Sequence, residues 1–138
     1  MSSEVRIEGL DGVLARLDNL SSLNNIQDAL GQACALVEAE AKKNAPKGDG
    51  TLRRSISSKV EGLTGIVFTP LEYAPYVEYG TGLFAEAGDG RKDVPWCYQD
   101  EEGEWHSTSG QKPHPYMRPA LNDNRADIIR LIQEAITK

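Results

Sequence analysis

"SISSKVEGLTGIVFTP", residues 55–70, decides how the rest of the chain is to be read. Its second half, Gly65 to Pro70, is a short β-branched and aromatic run. Its first half alternates imperfectly between polar and apolar residues. Gly62-Leu63-Thr64-Gly65 between them suits a hairpin loop. An antiparallel strand pair is therefore expected near 54–61 and 65–70.

Upstream, the pattern changes to helical spacing. Leu10, Val13, Leu14, Leu17 and Leu20 predict a short amphipathic helix. Ser21 or Ser22 can cap a longer one, in which Ile26, Ala29, Leu30, Ala33, Val37 and Ala41 form one apolar stripe. Pro46 and Gly48 end it, with Lys42 and Lys43 near its negative pole. "KGDGTLRRSI" is read as a turn into extended chain. Downstream, "KPHPYMRPAL" opens a last helix, whose apolar face runs from Ala120 to Ile136. Pro119 suits that helix's first turn, and Pro115 stiffens the approach to it. Helices against an antiparallel sheet make an α+β fold. The expectation is a two-layer domain with two N-terminal helices and one C-terminal helix on one face.

With 138 residues and 15.1 kDa, the chain reads as a single domain spanning 1–138. No apolar run approaches the roughly 18 residues that cross a bilayer. The first residues lack the basic-then-apolar order of a signal peptide, which predicts synthesis in a cytoplasm and no membrane partner. The net charge of −6 argues against a general nucleic-acid binder. Charge is unevenly placed. Lys42 to Arg54 holds five bases and one acid, a net of +4; Thr81 to Lys112 holds seven acids and three bases, a net of −4. These are either solvated faces or complementary surfaces.

Residues 84–110 are polar, acidic and glycine-rich, an inserted flap by length and composition. Inside it "VPWCYQDEEGEWHSTSG" predicts a second hairpin, with aromatics on both arms and Glu102-Gly103 at the turn. Just before it stands "EYAPYVEYGTG", residues 72–82, with three tyrosines, a proline and two glycines. No nucleophile, base or metal ligand accompanies it at a usable spacing.

Chemical motifs are weak throughout. Cys97, His106 and His114 are the metal-ligand candidates, but their gaps of nine and eight residues are wider than the tight pairs of zinc motifs. There is no Gly-x-Ser-x-Gly elbow. "PKGDGTLRRS" is not a P-loop. The acidic flap lacks a calcium-loop order. Cys34 lies in the helical stripe and reads as a core residue, and two cysteines make no disulfide framework. No enzyme, cofactor or metal is expected.

"GTLRRSI" (50–56), "YAPYVEYGTG" (73–82) and "KPHPYMRPAL" (112–121) follow one another in this order, after two predicted helices and before a terminal one. Together they resemble a family of small proteins of long-tailed bacteriophages, the tail-completion or head–tail joining (neck) proteins. The resemblance spans roughly residues 5–136, with about thirty diagnostic positions. Its motif residues here are Gly50, Leu52, Arg53, Gly80, Thr81, Gly82, Pro115, Tyr116, Arg118 and Pro119, with Tyr116 where phenylalanine is more usual. What it implies is assembly: a homo-oligomeric ring at the head–tail junction of the virion, a hexamer in related tail-terminating proteins. The partners implied are the tail-tube and head connector proteins, with DNA passing through unread. A head-side adaptor or stopper is the alternative. A metal protein built on Cys97, His106 and His114 is a remoter one.

Interface candidates are Tyr73, Tyr76, Glu78, Tyr79, Trp96, Tyr98 and Trp105. Tyr73 and Tyr76 serve equally as half-buried cover for the sheet. Glu78 lies among aromatics, where an unpaired charge is costly, so Arg53 or Arg118 is its expected partner.

Overall fold

The computed structural model describes residues 4–10, 20–48, 50–88, 90–100 and 102–137. Among them are five α-helices, a 3₁₀ turn and two small antiparallel sheets, a mixed α+β content. The helix predicted from Leu10 to Leu20 falls almost wholly on 11–19, outside the described residues. The chain divides into two compact units. One comprises 4–71 and 116–137 as far as they are described; the other is 72–115.

The first unit is built on α1, Leu20–Asn44. Twenty-five residues at 1.5 Å each give a rod of about 37 Å. The stripe read from the sequence is its buried side: Ile26, Leu30, Ala33, Val37 and Ala41 are fully buried, and Cys34 and Ala29 nearly so. Lys42 reaches back one turn to Glu38 at 3.5 Å. The helix stops before Pro46, which cannot continue it.

The strands are β1 (Glu4–Ile7), β2 (Ser57–Glu61) and β3 (Thr64–Phe68), in the order β1-β3-β2. The hairpin of β2 and β3 closes on Gly62-Leu63, with Gly62 at φ 59°. β2 starts three residues later than expected because Thr51–Ser55 is a helical turn, α2, rather than a turn into extended chain. Gly50 begins it at φ 83°, and the Ser55 hydroxyl, bonded to the Leu52 carbonyl at 2.6 Å and to the Thr69 hydroxyl at 2.6 Å, ties its end to the end of β3. β1 was not expected: four residues are too few to show a period. It pairs with β3 from Glu4↔Phe68 to Ile7↔Gly65.

α1 packs on β2 and β3. The closest approach is at Gly65, where a Cβ would lie 2.5 Å from the Cys34 sulfur and 3.6 Å from Leu30 Cδ2. A glycine inside a strand marks such an approach. Burial, and then the Glu38 charge, push the Cys34 thiol's pKa up, so it stays protonated and packs as a small apolar group. Register places Ile66 between Arg6 and Lys59 on the sheet's opposite face. Both cations are held along their own strands, Arg6 by Glu4 at 2.6 Å and Lys59 by Glu61 at 3.0 Å. Charges on the two outer strands discourage further strand pairing.

The single C-terminal helix of the sequence reading is two: α4, Met117–Asn122, and α5, Arg125–Thr137. Asn122-Asp123-Asn124 breaks it, because short polar side chains compete for backbone groups. Asn124 donates its side-chain amide to the Ala120 carbonyl at 2.8 Å, and its own carbonyl accepts from the Ile128 amide at 3.0 Å. Tyr116, 1% exposed, is the largest wholly buried side chain, and Asn44 bonds its carbonyl. α5 runs along α1. Ile132 and Ala135 join Ile26, Ala29, Leu30 and Leu63 in the core, with Ile7, Val60 and Ile136 at its edge. None of the described helices is long and apolar enough to cross a membrane.

Candidate interaction site

The second unit, 72–115, is made differently. It begins with α3, Ala74–Tyr79, in which Pro75 occupies the first turn, where its missing N–H is harmless. Ala74, Val77 and Glu78 are buried, Glu78 to 4%. Tyr73 and Tyr76, three residues apart, are 45% and 52% exposed, and Tyr79 is half-buried. The helix ends at Gly80, whose φ of 84° and ψ of 172° suit glycine alone.

Gly80-Thr81-Gly82 then forms a clasp with the returning chain. The Thr81 amide donates to the Gln111 carbonyl at 2.9 Å, and the Gln111 amide donates to the Thr81 hydroxyl at 2.8 Å. The Leu83 amide bonds the Ser109 carbonyl at 3.0 Å, and the His114 amide bonds the Val77 carbonyl at 2.8 Å. Gly82 is the crossing point. A Cβ there would overlap the Ser109 carbonyl oxygen and come within 2.8 Å of Trp96 Cη2. The indole of Trp96 thus lies against a residue with no side chain.

Beyond the clasp, the flap carries the predicted hairpin as β4 (Trp96–Gln99) and β5 (Trp105–Thr108). Its turn is organised by Asp100. One carboxylate oxygen accepts the amides of Glu102 and Glu104, each at 2.9 Å; the other meets His106 Nε2 at 2.7 Å. His106 also stacks on Tyr98 across the ladder, centroids 5.3 Å apart. The His106 hydrogen bond, helped by those backbone amides, holds the Asp100 carboxyl below the usual carboxylate range.

The metal-ligand candidates are not brought together. Cys97 stands opposite Ser107 and Tyr98 opposite His106, so Cys97 and His106 lie on opposite faces of the ribbon. His114 is past the clasp. The grouping that does form among the described residues is Asp100, Glu104 and His106, with ligand atoms within 4.8 Å of one another. The sequence reading missed it; the signal was the pairing of the two ends of the hairpin turn. Asp100's oxygens are already engaged by two amides and an imidazole, so the arrangement accounts for itself as a turn.

Two shallow grooves share Trp96 and Thr81. One, of about 400 Å³, is lined by Tyr76, Gly82, Ala85, Arg91 and Trp96 among others. Arg91 stands 5.1 Å from the centre of the Trp96 ring, with the fully exposed Asp93 at 4.0 Å. The other, of about 460 Å³, lies against Tyr98, Thr108 and Gln111. Large apolar side chains of this unit are open: Trp105 is 69% exposed, Leu83 57%, Tyr98 46% and Phe84 40%. Trp96, another of the interface candidates, is half-buried where the two grooves meet.

Of the remaining motif residues, Pro115 ends the second unit and the others belong to the first. Leu52 and Tyr116 are buried, Pro119 sits in the first turn of α4, and Gly50 starts α2. Arg53 Nε is buried without a hydrogen-bond partner among the described residues.

No curated protein and no solved structure matches the chain significantly. One family model does, over residues 11–80, and its description is "Bacteriophage HK97-gp10, putative tail-component". The match runs from ahead of α1 through "GTLRRSI" to the end of α3. It stops at Gly80, at the start of the clasp, and leaves out the flap and "KPHPYMRPAL". Spanning half of the chain, with the first motif whole and the second as far as Gly80, it shows that this protein belongs to the HK97-gp10-like family of bacteriophage tail components.

Proposed function

We propose that the protein is a ring-forming structural subunit at the head–tail junction of a phage virion, completing the tail and joining it to the head connector. The observation that carries this reading is the family membership, which places the chain among phage tail components. Two features of the chain support the finer role. The flap is tied at both ends by the Thr81–Gln111 clasp, and it presents Trp105, Tyr98 and Phe84 outward. Interfaces favour exposed aromatics held on a fixed base. The −4 stretch from 81 to 112 and the +4 stretch from 42 to 54 give one chain two regions of opposite charge, and a ring of more than two copies requires two unlike, complementary surfaces.

The net charge of −6 fits a channel through which DNA slides rather than binds. The work is assembly and needs no catalysis. Its partners are further copies of the chain, the tail-tube protein and the connector.

Removing the gene from the phage or prophage that encodes it tests the reading. The expected result is full heads and separate tails that join when the protein is supplied. Intact particles without it would overturn the proposal. Light scattering of the purified chain at rising salt tests the charge pairing: oligomers that weaken with salt support it, and indifference to salt counts against it.

A further inference from the structure

We infer that one chain carries both halves of a head-to-tail contact between copies, with Trp105 as the knob and the Arg91–Trp96 groove as the socket. This deepens the assembly reading above and rests on it.

The hairpin has two unlike faces. Register pairs Tyr98 with His106 and Gln99 with Trp105. Alternation then puts Trp96, Tyr98 and His106 on one face, and Cys97, Gln99 and Trp105 on the other. Trp96 lines the groove, so the groove lies on the first face. Trp105, the most exposed large apolar residue among those described, is on the second. A knob and a socket on opposite faces do not meet reciprocally about a two-fold axis. They propagate from copy to copy, and a ring results when the rotation closes.

The socket suits this occupant in size and in charge. At about 400 Å³ the groove has room for an aromatic side chain, and its walls include Tyr76, Ala85 and Trp96. Aromatic rings pack well against one another in offset or edge-on geometry. Trp105 arrives on a turn whose sequence, Asp-Glu-Glu-Gly-Glu at 100–104, is strongly acidic. Arg91 stands in the socket, where its contacts among the described residues are a fully exposed Asp93 at 4.0 Å and the Trp96 ring. An incoming acidic turn gives it a better partner. The second groove has no basic residue among those that line it, which is why the first is assigned.

Sedimentation of the whole chain across a concentration series tests this, with three variants. Trp105→Ala is expected to weaken self-association about 30-fold or more, the behaviour of a central aromatic anchor. Ala85→Trp fills the socket and is expected to do the same. Mixing these two variants supplies one intact knob and one intact socket, so a 1:1 heterodimer and nothing larger is expected. Its formation also shows that both variants are folded. Arg91→Glu should weaken assembly about tenfold and reduce its salt dependence. Assembly of Trp105→Ala at wild-type strength overturns the inference and leaves the virion role standing. So does a wild-type chain that assembles while the mixed variants do not pair. A wild-type chain that stays monomeric at every concentration overturns both this contact and self-assembly unaided by other virion proteins.

Discussion

The two units of this chain are stabilised by different forces. In the helix-and-sheet unit, apolar area does most of the holding: α1 alone contributes seven residues at 5% exposure or less. In the 72–115 unit, the buried apolar residues among those described are few, and the chain is fixed by backbone hydrogen bonds across the clasp and by glycines that let chain segments touch. Burial is non-directional and tolerates exchange of one apolar group for another. A clasp of crossing backbones depends on individual atoms. The first kind of unit makes a scaffold, and the second holds a surface in a fixed shape.

That contrast can be broken from either side. Leu30→Ala, in the middle of the α1–α5 core, should cost about 3 kcal/mol of unfolding free energy in urea titration, within the range for such truncations. A loss well under 1 kcal/mol would mean that the core does not carry the first unit. Gly82→Ala should act locally, costing roughly 1–3 kcal/mol at the clasp through a strained positive φ and overlap with Ser109. Hydrogen exchange should show the Thr81 and Leu83 amides losing protection while those of α1 and β3 keep theirs. Equal loss everywhere would show that the clasp and the core unfold together.

The smallest effect concerns the hairpin turn. Asp100's folded pKa is lowered, so its contribution is complete above its unfolded value of about 4 and is lost as pH falls through the lower folded value. The amide resonances of Glu102 and Glu104 should therefore titrate with a midpoint below 4 in the native chain, and this transition should vanish in Asp100→Asn. A midpoint at or above 4 would break the proposed role of Asp100 in the turn.

Much of the secondary structure was legible in the sequence. The α1 stripe, the β2–β3 hairpin and the Trp96–Thr108 hairpin each show their own period or turn residues. β1 did not, because its strand identity comes from pairing with β3 rather than from its four residues. The helical turn at Thr51–Ser55 hid behind glycines that suggested only a loop. The break between α4 and α5 was masked by an apolar spacing that continues across it. At the site, aromatic and glycine content marked the region, while the Asp100–His106 pairing and the two grooves could not be read from it.

The sequence by itself determined the periodic elements, the acidic balance and the three short motifs, because these are local properties of neighbouring residues. The tertiary structure decided which aromatic is covered and which is open. Trp96 rests on Gly82 while Trp105, on the other face of the same ribbon, stands in solvent. It also decided that Gly65 lets β3 meet Cys34 and that Gly82 lets two chain segments cross. These outcomes depend on contacts between residues distant in sequence, whose side chains or missing side chains acquire meaning only when the backbone brings them within a few ångströms of each other.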